Sequence, residues 1–324
     1  MASIRDLISS SEQDNSAESV PEATGNPSEK SGTISETTHF VIEFILDIVC
    51  PYCYITLKNL DAAITLYKAG HPEAVIDVVC TPFFLDPLAV RSAYNKSTYI
   101  QGRDLQPQDH KNERFFSLAK AAGIDFSWKG ITGNTRDAHK LLRFALEPTP
   151  TALRSTAFVT TNTHTPPPPP PETATTATST TATTHGPALQ LQLLATLFAA
   201  HHTGDADISD PSFLSVLGAS VLKDLFPSSS SSPAPADLLR AEVLESGAWG
   251  AAVDALVADA RRGRSVLIGA VPTLVVNDRY VIGGAQDVGF LVGELERIRV
   301  AGVGGGRGAA AVAVGQGQVG GGSG

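Results

Sequence analysis

The chain has 324 residues, of which 42% are hydrophobic, and its 24 basic and 33 acidic residues give a formal net charge of −9. This length and hydrophobic content suffice for one large domain or two ordinary ones. Because the sequence has no dense field of Lys and Arg, it argues against nucleic acid and against an anionic membrane surface as partners.

The first segment, residues 1–38, is rich in Ser, Glu and Thr and carries two basic against seven acidic residues. It has too few large apolar side chains to offset the entropy of an ordered chain, so we predict a disordered acidic tail. No basic region followed by an apolar run marks a secretory signal, and no apolar stretch reaches the length of a membrane span. We therefore expect a cytoplasmic protein without a membrane partner.

The first predicted strand, residues 40–47, is an apolar, β-branched run that leads into a Cys-X-X-Cys pair and then a helix ending near Gly70. A second strand is predicted over residues 74–80. The order strand, helix, strand indicates a parallel pair with a right-handed crossover. Reactive groups that follow the first strand then lie at the carboxyl edge of the sheet, where open α/β folds place their sites.

The cysteines of this turn, Cys50 and Cys53, are the candidate catalytic residues. Cys50 stands at the mouth of the helix, where unpaired backbone N–H groups and the macrodipole favour thiolate, so we expect it to titrate below a free thiol. Pro51 suits the first helical position. Cys53 is one turn in and can attack a mixed disulfide formed at Cys50. The preceding Asp47 could oppose the thiolate or relay protons.

The cysteine count limits the alternatives, since three cysteines are too few for a disulfide scaffold. A close pair in a reducing compartment is typically catalytic, redox-sensing or metal-binding. A zinc site would need two further ligands, and the sequence has no second Cys-X-X-Cys and no short-spaced Cys/His pair. The third cysteine, Cys80, is predicted to be a buried strand residue that acts as a small hydrophobe.

The middle of the chain, residues 86–263, is predicted to be an all-α insertion. Five helices are expected there without an intervening strand signal: 108–122, one beginning at Asn134, 188–202, one opened by Asp210, and 236–262, the last broken near Gly247 and Gly250. Two low-complexity stretches, residues 148–187 and 228–235, are Pro-, Thr- and Ser-rich and predict loops.

The sheet signal returns after Gly263. Residues 266–276 and 280–282 are predicted strands joined at Asn277-Asp278, a hairpin signal, and residues 285–300 form an amphipathic helix. The Gly- and Ala-rich end, residues 301–324, is predicted to be flexible. One sheet domain is thus expected in two halves, 39–85 and 264–300.

Several separated blocks in this order resemble DsbA-like thioredoxin-fold proteins of the FrnE subgroup. They are residues 49–55 around the Cys-Pro-Tyr-Cys motif, 82–87, 134–142, 269–276 and 283–286. The resemblance implies an α/β fold, thioredoxin-like with an inserted all-α helical domain. It implies a thiol–disulfide oxidoreductase or isomerase that uses Cys50 and Cys53 and needs no metal or organic cofactor. Its partner would be a thiol or disulfide substrate, either protein or glutathione.

The same resemblance implies a cis Val271–Pro272 bond whose loop faces the cysteine pair, where exposed backbone groups could pair with an extended substrate. The candidate substrate-binding residues are Pro51, Tyr52, Val271, Pro272, Gln286, Asn134 and His139. The Pro-Tyr dipeptide between the cysteines is more familiar from glutaredoxins, which leaves the direction of electron flow open.

Other functions fit the same outline. A glutathione-dependent transferase or isomerase of the kappa type would share the fold and the helical insertion, but it is expected to carry a serine or a single residue at the thiol position. A peptide-binding or chaperone-like module would use the groove without the cysteines.

Some residues also have purely structural interpretations. Pro272 could be an edge-strand proline, and His139 could belong to a solvated helix face beside Lys140. His201 and His202, near a helix end, would be favourable charges at the negative end of the dipole. Gly283 and Gly284 would allow close packing beside the site.

Overall fold

A mixed β-sheet forms the centre of the fold in the computed structural model, which describes residues 38–101, 113–146, 186–226, 233–262, 268–303 and 312–314. Its strand order is β2-β1-β5-β6-β7, and a separate two-stranded sheet joins β3 to β4. The strands are β1 (His39–Leu46), β2 (Val75–Pro82), β3 (Tyr94–Asn95), β4 (Ile131–Thr132), β5 (Thr273–Val276), β6 (Tyr280–Gly283) and β7 (Val312–Val314).

The pairing of the main sheet confirms the predicted topology. Strands β1 and β2 are parallel, with His39 opposite Val75, and β5 runs antiparallel to both β1 and β6. The β5–β6 hairpin turns at Asn277 and Asp278, whose φ angles are 52° and 53°. Two successive residues with positive φ are what a tight two-residue hairpin requires, and Asn and Asp tolerate them better than most residues.

Nine helices are found in the described ranges. They are α1 (Pro51–Gly70), α2 (Lys96–Gln101), α3 (Glu113–Ala121), α4 (Arg136–Leu146), α5 (Pro187–His202), α6 (Pro211–Val221), α7 (Pro235–Leu239), α8 (Gly247–Arg262) and α9 (Val288–Val303). A π-helical turn, Arg240–Leu244, continues α7, and a short 3-10 helix, Lys223–Leu225, follows α6. None of the described helices is long and apolar enough to cross a membrane.

The period-two pattern of β1 decides how the layers pack. Phe40, Ile42 and Phe44 are almost fully buried and belong to the large core that includes residues of α1, α5 and α9. Ile45 points to the opposite face, where it clusters with Val275. Because successive side chains of a strand alternate between faces, β1 is covered on both sides at its carboxyl end. The reactive turn therefore follows a strand whose carboxyl end is buried on both faces.

The insertion differs from the prediction at the strands β3 and β4, at the unpredicted helix α2 and at Gly250. The strands β3 and β4 pair within a region expected to be wholly helical, and two residues a strand are too few to show a period in the sequence. The break predicted near Gly247 is confirmed, since the helix 236–262 is interrupted at Glu245 and Ser246, but the break predicted near Gly250 is wrong because Gly250 continues α8.

Other sequence predictions fall mostly outside the described residues. The acidic tail, the loop 148–187 except its last two residues, and residues 228–232 of the second loop lie there, so these predictions stay untested. The tail 301–324 was expected to be flexible, but Val312–Val314 forms β7, parallel to β6. Alternating valine suits an added strand. The boundaries 85/86 and 263/264 of the insertion remain a prediction.

Gly133, just before α4, has no room for a side chain. A Cβ there would lie 2.5 Å from the Val90 carbonyl oxygen and 2.7 Å from both Ser209 Oγ and Ser92 N. We expect Gly133→Ala to lower the free energy of unfolding by about 1–3 kcal/mol, as overpacking does elsewhere. Gly293→Ala is the control, since nothing lies within 4 Å of its Cβ position in α9. Urea unfolding with equal stabilities for the two variants would contradict this account.

Candidate active site

The turn between β1 and α1 places Cys50 at the start of the helix. Cys50 N donates to the Asp47 carbonyl oxygen at 3.0 Å, which closes the turn. Cys50 is the N-cap residue, extended at φ −82° and ψ 113°, and its side chain makes no capping hydrogen bond. Pro51 occupies the first turn of α1. Cys50 therefore stands at the mouth of the helix, as the sequence predicted.

The two thiols differ in burial and in electrostatics. Cys50 is 4% exposed and Cys53 is fully buried, and both are free thiols. Burial raises the pKa of Cys53 well above its usual value, and a hydrogen bond to Cys50 and the Cys50 charge raise it further. The Asp47 backbone opposes this rise, while the Asp47 carboxylate adds to it. Cys53 is thus held as a thiol beside the more accessible Cys50 sulfur.

The loop before β5 covers the cysteine pair. The Val271–Pro272 bond is cis, and the Val271 carbonyl oxygen lies 3.9 Å from Cys50 Sγ. Gly284, at φ +73°, donates its N–H to the Pro272 carbonyl oxygen at 2.9 Å. This arrangement confirms that the proline loop faces the cysteines. The edge-strand interpretation of Pro272 is wrong, because β5 lies between β1 and β6.

Tyr52, between the cysteines, joins an aromatic cluster on α3 and the segment after it. Its ring packs edge-to-face on Phe115, with centroids 5.1 Å apart, and Phe126 stacks on Trp128 at 5.4 Å. Burial raises the Tyr52 pKa, the Cys50 charge raises it further, and Arg114 lowers it. A cavity of about 530 Å³ opens beside this cluster, lined by residues that include Phe116, Lys120, Phe126 and Trp128.

A buried acid and a buried histidine meet behind the cysteines. Asp47 is 1% exposed and His139 is 3% exposed, with Asp47 Oδ1 3.6 Å from His139 Nε2. Among the residues that the structure describes, neither of these two atoms has a hydrogen-bond partner. The other Asp47 oxygen, Oδ2, accepts from Leu85 N at 2.8 Å. The solvated-face interpretation of His139 is therefore wrong, since α4 turns this residue towards the active-site turn.

His201 and His202 are also buried, which corrects their assignment as helix-end charges. Burial lowers the pKa of His201 to about 4 and that of His202 well below the usual value, so both are neutral near pH 7. His202 Nε2 lies 2.9 Å from the Ile48 carbonyl oxygen, and since a carbonyl only accepts, the ring donates. His202 follows Phe198 by four residues and Leu194 by eight, a spacing that already indicated a buried face.

The remaining predicted residues are engaged in bonds within the protein. Asn134 Nδ2 donates to the Ala89 carbonyl oxygen at 2.8 Å, and its Oδ1 accepts from Arg136 N at 2.8 Å, which begins α4. Gln286 Nε2 donates to the Gly283 carbonyl oxygen at 2.7 Å. None of these bonds reaches the cysteine pair, so a substrate contact by either residue stays a prediction.

The third cysteine lies in the second strand of the sheet. Cys80 is buried in β2, burial raises its pKa, and its N–H donates to Gln190 Oε1 at 2.8 Å. This confirms Cys80 as a packed strand residue.

In the part of the chain that the structure describes, no three His, Cys, Asp or Glu side chains gather into a group that could hold a metal ion.

Comparison with known proteins gives one sequence match and several fold matches. Residues 41–161 match the profile of the DSBA-like thioredoxin domain family. A structure from Streptomyces coelicolor described as a probable DsbA oxidoreductase is 19% identical, with a TM-score of 0.46, and the match covers 81% of this chain and 91% of that one. A candidate disulfide isomerase from Nitrosomonas europaea is 15% identical, with a TM-score of 0.49 and coverages of 81% and 98%.

A third structure, a 2-hydroxychromene-2-carboxylate isomerase, is 13% identical, with a TM-score of 0.45 and coverages of 82% and 98%. A search of curated protein sequences gives no match.

Proposed function

We propose that the chain is a DsbA-like thiol–disulfide oxidoreductase with Cys50 as the attacking sulfur and Cys53 as the resolving one, which the match of residues 41–161 to the DSBA-like thioredoxin domain family supports. The observation that carries this proposal is the difference between the two thiols. Cys50 lies at the helix mouth with some exposure, whereas Cys53 is fully buried and held protonated beside it. A substrate therefore meets Cys50 first.

The proposed reaction has two exchange steps. The Cys50 thiolate attacks a substrate disulfide R–S–S–R′, forms the mixed disulfide Cys50–S–S–R and releases R′S⁻. Cys53 then attacks Cys50 Sγ, the bond from Cys50 to the substrate sulfur breaks, and the Cys53 proton passes to the departing sulfur, which leaves as RSH. The cysteine pair is oxidised by two electrons and the substrate is reduced by two. The reverse sequence oxidises a dithiol substrate.

The proline loop and the aromatic cluster are the proposed substrate contacts. The Val271 carbonyl beside Cys50 Sγ and the cis bond to Pro272 favour pairing with an extended substrate segment. Pro51 and Tyr52 directly follow the reactive cysteine, and the cavity beside Phe126 and Trp128 has a partly apolar lining that suits a hydrophobic substrate side chain. Gln286, Asn134 and His139 complete the proposed set. The motif at residues 49–55 supports placement in the FrnE subgroup.

An exchange assay tests the proposal. Wild-type protein is expected to accelerate the dithiothreitol-dependent reduction of insulin, or the oxidation of a dithiol peptide, and Cys80→Ala is expected to match it because Cys80 is packed in β2. Mass spectrometry of the oxidised protein should place the disulfide between Cys50 and Cys53. The proposal fails if neither assay exceeds the buffer rate. Conjugation of glutathione to an electrophile by the same samples would instead favour the kappa-type activity.

A further inference from the structure

An arginine of the predicted insertion stands at the rim of the cysteine pair, and its one hydrogen-bond partner in the described residues is a carbonyl oxygen. We propose that Arg114 binds a carboxylate of the substrate and so selects thiols and disulfides that carry a negative charge near the reacting sulfur. The inference rests on the proposed function, for which it names the substrate class. It assigns a specificity-determining residue to α3, outside the two halves of the sheet domain.

The proline loop places Arg114 on one side of the site. Its Nη2 donates to the Ala285 carbonyl oxygen at 3.5 Å. The preceding residue, Gly284, donates its N–H to the Pro272 carbonyl oxygen at 2.9 Å, in the loop that comes within 3.9 Å of Cys50 Sγ. The guanidinium is therefore held at the edge of the loop that covers the reactive sulfur.

The aromatic cluster gives the same position independently. Phe115, next to Arg114 in α3, packs edge-to-face on the Tyr52 ring with centroids 5.1 Å apart. Burial is the largest cause of the raised Tyr52 pKa, while the Cys50 charge raises it further and the Arg114 charge lowers it. Both charges therefore lie close to one phenol, and a substituent of a substrate joined to Cys50 is expected within reach of the guanidinium.

The contacts of Arg114 differ from those of other arginines in the protein. Arg114 is exposed, and its bond to a carbonyl oxygen is at the long end of the range for hydrogen bonds. A guanidinium has five N–H donors in a planar fork that matches a carboxylate bidentately, so most of its donors remain open to a ligand. Five other arginines in the described ranges instead pair with an aspartate or a glutamate: Arg91, Arg136, Arg240, Arg297 and Arg299.

The expected selection is local. The chain has a formal net charge of −9, so its overall charge does not attract anions. At physiological salt an exposed charge acts over about 8 Å, so Arg114 acts on groups beside the reacting sulfur and not on the substrate as a whole. A mixed disulfide Cys50–S–S–R keeps a carboxylate of R beside the guanidinium, whereas a neutral or cationic R gains no ion pair there.

Three small disulfides of similar size separate charge from fit: dithiodipropionate is anionic, hydroxyethyl disulfide is neutral and cystamine is cationic. Stopped-flow mixing with acid quench and intact-mass analysis gives the second-order rate constant at which each oxidises the reduced protein. We expect Arg114→Gln to slow dithiodipropionate about fivefold, as loss of an ion pair worth about 1 kcal/mol does, and to leave hydroxyethyl disulfide within about twofold. Cystamine should react faster with this variant. Arg114→Lys, which keeps the charge without the fork, should restore part of the dithiodipropionate rate.

Arg299→Gln is the matched control, because it removes the same charge elsewhere. Arg299 pairs with Glu296, which also accepts from the Tyr67 hydroxyl, and Tyr67 lies roughly 25 Å along α1 from Cys50 at 1.5 Å per residue. This variant should match wild type with all three disulfides. An unchanged ratio of the dithiodipropionate rate to the hydroxyethyl disulfide rate in Arg114→Gln would overturn the inference, whether or not both rates fall. Wild-type protein that reacts with none of the three would overturn the proposed function itself.

Two matched pairs of larger probes identify the source of the carboxylate. Oxidised glutathione is compared with its ethyl ester, and a cystine peptide flanked by aspartate is compared with the same peptide flanked by asparagine. A rate difference that disappears in Arg114→Gln shows whether the carboxylate belongs to a small thiol compound or to an acidic protein segment. Differences that persist in both pairs would contradict binding of the carboxylate by Arg114.

Discussion

Replacing Cys53 by serine is expected to leave the protein joined to its substrate through Cys50. Attack by Cys50 needs only that sulfur, whereas release needs the buried Cys53 sulfur beside it. Turnover should fall to the uncatalysed rate, and a mixed disulfide with glutathione or a client protein should accumulate. Non-reducing electrophoresis and intact-mass measurement before and after dithiothreitol detect the adduct.

Cys50→Ser is the matched comparison, because it should lose turnover equally but form no adduct. Cys53→Ala should also accumulate the mixed disulfide at Cys50. It places no hydroxyl at a fully buried position, where an unsatisfied group would cost about 1–3 kcal/mol. Adduct formation in Cys50→Ser, or turnover in both serine variants, would show that the exchange uses another group. In a Cys80→Ala background, no thiol outside the active-site pair can contribute to the adduct.

Much of the sheet follows from local sequence signals. In β1, apolar residues alternate with residues that can face either solvent or the second layer, and Pro51 and Gly70 mark the ends of α1. Asn277 and Asp278 indicate the hairpin by their tolerance of positive φ. The cysteine turn falls between these signals, so its place at the carboxyl edge of β1 could be predicted.

The surroundings of the cysteines could not be predicted in the same way. His139 and Lys140 look like a solvated face because the sequence gives their charge and not their partners. In the structure, Lys140 is buried because its Nζ donates to the Leu244 carbonyl oxygen at 2.6 Å and lies 2.9 Å from Asp137 Oδ1. Those partners are brought together only by the packing of α4 against the π-helical turn. Buried charges of this kind are stable when each is paired, which is a tertiary property.

His201 and His202 are misassigned for the same reason, since the sequence does not show what packs around them. Their burial predicts a second large effect, on the pH dependence of stability. We expect the protein to lose stability as the pH falls from about 6.5 to 4. In the unfolded chain both histidines take up protons near pH 6.5. In the folded state burial and the nearby Lys96 charge together lower the pKa of His201 to about 4, and burial lowers that of His202 well below 6.5.

The direction of this pH dependence follows from the number of protons that each state binds. Within this window the unfolded state binds more protons than the folded state, so the free energy of unfolding rises with pH and is lost on acidification. For His201 alone, a depression from 6.5 to about 4 corresponds to about 3 kcal/mol. This is a large part of the roughly 5–15 kcal/mol by which domains are usually stable.

Urea unfolding at a series of pH values measures this effect, and variants separate it from the titration of carboxylates. His202→Gln can keep a donor to the Ile48 carbonyl oxygen, which anchors the active-site turn, but it cannot take up a proton. Its stability should therefore fall less steeply than that of wild type between pH 6.5 and 4. His39→Gln, at an exposed position, should keep the wild-type slope. Equal slopes for all three proteins would contradict this expectation, because they would mean that protonation of the buried histidines does not lower the free energy of unfolding.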